Sequence, residues 1–139
     1  MYSRILVPVD LAHAERLSKA LKTAADLARH YDIPVCYAGV SAETPGSIAH
    51  SPKEYGEKLA AFARDQAELH GVKAESRPVF SHDPSIDLDE AIVKAVKESE
   101  ADLVVMASHI PNIADRFWPS NGGRVAARSD ASVFVVRGT

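Results

Sequence analysis

Five short apolar runs punctuate the chain, and between them apolar residues recur at steps of three and four. The runs RILVPV (4–9), PVCYAGV (34–40), AESRPVF (74–80), DLVVMA (102–107) and SVFVV (132–136) have the length and β-branched content of strands. Four of them are apolar nearly throughout, as strands covered on both faces are. The third alternates and carries Pro78. A proline has no N–H for a ladder, so this strand is expected at an edge. Pro8 is odd for a central strand and is expected to mark the place where the backbone turns toward a ligand.

Helices fill the gaps. Leu17, Ala20, Leu21, Ala24, Leu27, Ala28 and Tyr31 form one apolar stripe. A second helix opens at SPKE, with Ser51 as N-cap, Pro52 at the first helical position and Glu54 completing a capping box. Its stripe is Tyr55, Leu59, Phe62, Ala63 and Leu69, and Gly71 ends it. A third helix carries Leu88, Ala91, Ile92, Ala95 and Val96, and a short Ala-rich fourth runs from Asn121 to Arg128. Ser41–His50, with Pro45 and Gly46, reads as a loop. Strands alternating with helices imply right-handed crossovers and an α/β parallel sheet with helices on both faces. Ligands bind such sheets beyond the carboxyl ends of the strands, where strand order reverses. That directs attention to Val9–Leu11, Val40–Ser41, Ser81–Asp83 and Ala107–His109.

Composition narrows the classes. With 139 residues, 46% hydrophobic, the chain makes one domain, residues 1–139, with a normal core. A net charge of −3 without a Lys/Arg run excludes a broad nucleic-acid footprint or an electrostatic membrane anchor. Cys36, the sole cysteine, rules out an internal disulfide and is expected as a packed small side chain. No signal-peptide pattern or membrane-spanning run is read, so a cytoplasmic setting is expected.

The candidate chemistry lies at strand ends. Asp10 can accept hydrogen bonds from a ribose, hold a cation, or cap the next helix; these roles are compatible. His13, His82 and His109 follow strand ends, but none has a local metal-ligand spacing, and Asp87 and Glu90 read as helix-start acids. Ser120, Asn121 and Gly122 open the last helix, whose free N–H groups suit an anion; Gly122–Gly123 would let it come close, and Arg116 and Arg124 would add charge. Phe117 and Trp118 read as packing under the loop rather than as a base-stacking platform. No nucleophile elbow or Walker motif is present, so no catalytic set is assigned.

ILVPVD at the start, ADLVVMASH before the loop and SNGGRVAARSDASVFVVR at the end resemble the universal stress protein family, over essentially the whole chain. ASHIPNI followed by PSN is similar to a subgroup with an Ala-Ser-His-x-Pro loop and a Ser-Asn helix start. The resemblance implies a Rossmann-like, adenine nucleotide alpha hydrolase-like domain: an open twisted sheet of order 3-2-1-4-5. It implies a stress-response binding protein holding ATP. It places Pro8, Val9 and Asp10 at the adenine and ribose side and Val40 against adenine through its backbone. Met106, Ala107, Ser108 and His109 begin the phosphate loop, and Ser120, Asn121 and Gly122 close it. It also implies a homodimer through Ser132–Val136. The chain departs from the family's nucleotide-binding pattern: Ala107, Ile110 and Pro119 stand where that pattern has glycines, and Pro119 removes an N–H. FSHDPSIDLDE is longer and more acidic than the family's turn there, so a triphosphate would need a divalent cation between. The alternatives are a dimeric interaction module without nucleotide and, less favoured, an enzyme using the same crevice for adenylyl transfer.

Overall fold

A computed structural model describes residues 1–42, 49–81, 84–108 and 121–138. β1 (Ile5–Val9) passes through a 3-10 segment (Leu11–Leu17) into α1 (Ser18–Tyr31). β2 (Val35–Ala42), α2 (Pro52–His70), β3 (Ala74–Ser81), α3 (Pro84–Ser99) and β4 (Leu103–Ala107) follow, then α4 (Asn121–Arg128) and β5 (Ser132–Val136). The strands pair in parallel in the order β3-β2-β1-β4-β5, the α/β sheet expected. β3 is an edge strand with β2 as its neighbour, so Pro78 is tolerated.

The helices form for the reasons their sequences give. α1 buries Ala20, Leu21, Ala24 and Ala28, and Leu17 just before it; Leu27 and Tyr31 are half-buried. In α2, Ser51 Oγ accepts the Glu54 N–H at 3.1 Å, Pro52 is the first helical residue, and Gly71 closes the helix at φ 65°. Only Gly takes that left-handed conformation without strain. The Glu54 carboxylate reaches back to the His50 N–H at 3.4 Å, one residue earlier than a capping box requires. Leu69 is a correction: it is 72% exposed. The inward row of α2 runs Tyr55, Leu59, Ala63, Gln66, and Leu69 falls to its side in the last turn. Gln66, a polar residue, takes the buried place. All five apolar residues expected of α3 are buried.

β1 and β4 form the centre, with Ile5, Leu6, Val7, Val104 and Val105 at most 1% exposed. Cys36 is buried as a packed side chain, and burial raises its thiol pKa above the usual value. Tyr37 packs edge-on against Phe62, and burial pushes its hydroxyl up to about 12. At the amino ends of the strands, Asp102 accepts the N–H groups of Ser3 (3.0 Å) and Arg4 (3.2 Å) and the Ser3 hydroxyl (3.1 Å), tying β1 to the start of β4. Among the described residues, no helix is long and apolar enough to cross a membrane.

Candidate functional site

The site follows from where one ladder ends. In a parallel sheet, successive residues turn their backbone groups to opposite neighbours. Ile5 donates its N–H to the Pro34 carbonyl beside β2 (3.1 Å), while the Arg4 carbonyl accepts from Leu103 of β4 (3.3 Å). Odd positions of β1 therefore face β2, and even positions face β4. Pro8 is even. Its missing N–H is the one that would meet the Val105 carbonyl. The β1–β4 register accordingly stops at Leu6–Val104, whereas β1–β2 runs on to Val9–Gly39. Pro8 sits in the central strand without breaking the β2 ladder, and it leaves a gap toward β4.

The same alternation tells which groups border the gap. On β4, odd positions face β1, so Ala107 turns its N–H and carbonyl toward β1 beyond the last rung. Even positions face β5: the Ser108 N–H donates to the Val136 carbonyl at 2.8 Å. On β2, even positions face β1, and Val40 stands one rung beyond the last pair, Val9–Gly39. Its carbonyl points where β1 would have continued. Side chains matter less: Pro8, Val9, Met106 and Ala107 are buried, so what they present is backbone.

Asp10 follows β1 directly and is partly exposed. Its Oδ1 accepts the Ala12 N–H at 3.1 Å, capping the 3-10 segment, and its Oδ2 lies 2.9 Å from His13 Nδ1. The helix-cap reading of Asp10 is thus met. Tyr55 of α2 closes the neighbouring side. A Cβ built on Gly39 would lie 2.3 Å from the Tyr55 hydroxyl, so Gly39 is what lets this ring settle over β2. Burial, and then the Asp10 charge, raise the Tyr55 hydroxyl above its ordinary pKa. Sequence reading missed Tyr55 and Gly39 as site neighbours. Their signal is a glycine inside a strand, which marks close approach by another group.

α4 begins at Asn121 and packs against α3 and β5. Gly122 has a packing role as well: a Cβ there would lie 2.6 Å from Val135 Cγ2, so its bareness lets α4 sit close on β5. Gly123 meets nothing within 4 Å and keeps an open approach. Arg124 has a partner on another helix. Its Nη1 lies 3.9 Å from Asp89, and Arg128 donates to the same carboxylate at 3.3 Å. Arg128 also pairs with Glu90 at 3.6 Å. Glu90 therefore ties α3 to α4 rather than complementing a helix start, and buried Asp89 is neutralised by arginine, not held free for a cation. His82, Asp83, His109, Ile110, Arg116, Phe117, Trp118, Pro119, Ser120 and most of the Ser41–His50 loop lie outside the described residues, as do the side chains of Asp87 and Asn121. Among the described residues, no group of three or more metal-ligating side chains gathers.

The fold defines a class: a doubly wound α/β domain whose strand order reverses between β1 and β4. A model of the universal stress protein family matches residues 1–137, and the chain belongs to that family. Solved structures agree in fold. A universal stress protein crystallised in complex with cAMP is 22% identical, with 99% of each chain covered and a TM-score of 0.69. A universal stress protein from Archaeoglobus fulgidus in complex with dAMP is 23% identical over 96% of this chain and 97% of that one, at 0.62. An Arabidopsis thaliana member with AMP bound is 14% identical over 99% and 92%, at 0.64.

Proposed function

We propose that this chain binds an adenine nucleotide, ATP foremost, in the crevice beyond β1 and β4, and works as a stress-response binding and signalling protein rather than a catalyst. The observation that carries this is the early end of the β1–β4 ladder at Pro8, with Asp10 at the rim. The groups bordering the gap suit the ligand. The Val40 carbonyl is an acceptor for an adenine amino group, and Asp10 is an acceptor for ribose hydroxyls. Ala107 and Ser108 lead into the phosphate side, and α4 offers N-terminal N–H groups to an anion. That relatives of the same fold hold cAMP, dAMP and AMP supports adenine as the shared element. Mg2+ would enter with the triphosphate rather than through Asp89, which pairs with Arg124 and Arg128.

A homodimer through Ser132–Val136 completes the proposal. β5 is an edge strand with Phe134 and Val135 partly exposed, and an apolar edge needs cover. The second reading, a dimeric interaction module without nucleotide, is favoured by one observation: Gly122 is spent on packing against Val135. Pro119 and Ile110 point the same way.

Denaturing the purified protein and measuring released adenine absorbance, then titrating ATP by calorimetry with and without Mg2+, separates the readings. Saturable heat with no turnover supports the first. Neither heat nor co-purified nucleotide supports the second, and repeated turnover would overturn both.

A further inference from the structure

His13 departs from the rest of its segment. Inside Leu11–Leu17 its backbone leaves helical geometry, at φ −133° and ψ 33°. Its N–H donates to the Asp10 carbonyl at 3.0 Å, so the chain turns sharply between the two residues. That turn carries the ring back until Nδ1 is 2.9 Å from Asp10 Oδ2. A carboxylate accepts and does not donate, so Nδ1 carries the proton. The other oxygen, Oδ1, is held by the Ala12 N–H at 3.1 Å. Each carboxylate oxygen is thus held by a different donor.

We propose that His13 positions Asp10 as a fixed double acceptor for a vicinal ribose diol, so that the crevice selects ribonucleotides over nucleotides lacking those hydroxyls. This rests on the adenine-nucleotide reading above. A carboxylate offers roughly four acceptor positions, two on each oxygen. Two are taken by Ala12 and His13, which leaves one on each oxygen. Two adjacent hydroxyls are the donor pair that matches them. The His13 side chain is 37% exposed and the Asp10 side chain 20%, so the ring lies on the solvent side and braces the carboxylate from outside. His13 is a positioning residue: it acts on the ligand through Asp10.

The test compares ATP with 2′,3′-dideoxy-ATP by calorimetry on the full chain. Wild type should bind ATP about tenfold more tightly, the effect of roughly one to two hydrogen bonds. In His13→Phe the ratio should collapse toward one, with ATP weakened, dideoxy-ATP unchanged and the melting temperature held. His13→Asn, whose amide N–H stands close to the Nδ1 position, should restore the ratio, a rescue that a merely structural role would not give. His13→Ala serves as a second variant if the phenylalanine disturbs packing. A wild-type ratio retained in both His13→Phe and His13→Ala overturns the proposal, as does equal loss of both ligands. Wild type binding the two nucleotides equally would sink the diol selection while leaving nucleotide binding intact. No binding of either would remove the nucleotide reading and this inference with it.

Discussion

At Pro8 the backbone has no N–H to offer Val105, and the ladder between β1 and β4 ends there. The oddity of a proline in a central strand is legible from sequence alone. Which neighbour loses the bond is not, because that depends on strand order. Ala107 at its strand end is readable, but β2 runs past Val40 through Ser41 to Ala42, paired with β3, where the sequence reads as a loop from Ser41. The direction of both carbonyls follows from the register. Pro8→Ala supplies the missing N–H. The added rung is worth about 1 kcal/mol, and the freer unfolded chain takes back roughly as much. Global stability in urea should therefore stay within about 1 kcal/mol of wild type, while ATP affinity falls as the crevice narrows. Unchanged affinity with a clear gain in stability would mean that the gap has no part in binding. Gly122 teaches the opposite lesson. A glycine at a helix start reads as ligand access, but only the packed structure places Val135 against it.

Elements were legible where a local rule decides them. Pro78 placed β3 at an edge, and Ser51, Pro52 and Gly71 set both ends of α2. Leu69 was misread because periodicity counts apolar residues and does not tell where a helix outruns the surface it covers. The ion pairs of Glu90 and Arg124 are not legible because their partners lie on another helix, distant in sequence. The junction of β1 and β4 gives a pH-dependent prediction. Burial acts to raise the Asp102 carboxyl, but the donors from Ser3 and Arg4 outweigh it and hold the pKa below the usual value. A lowered folded-state pKa means that the stabilisation is present above the unfolded value, about 3.9, and is lost as pH falls through the folded one. Asp102→Asn should cost about 1 kcal/mol at neutral pH, a modest figure because the group is partly exposed. The gap between variant and wild type should shrink as pH drops below about 4. A pH-independent difference in urea midpoints would contradict this account of Asp102.

At the scale of the whole molecule, strand and helix order followed from hydrophobic periodicity, and strand order from family resemblance. The arrangement leaves β5 at an edge with Phe134 45% and Val135 38% exposed. If two copies pair there, light scattering behind a sizing column should give twice the chain mass, and Phe134→Lys should shift it to one chain mass without unfolding. A monomeric wild type would remove the dimer from the proposal.

The central claim is that an adenine nucleotide lies where β1 and β4 part. Backbone amide chemical shifts followed by NMR during an ATP titration test it most directly. The account predicts saturable shifts grouped at Val9, Asp10, Val40, Ala107, Ser108 and Gly122, with the amino-end residues Ser3 and Asp102 still. Shifts grouped away from the crevice, or none at millimolar ATP, would contradict it.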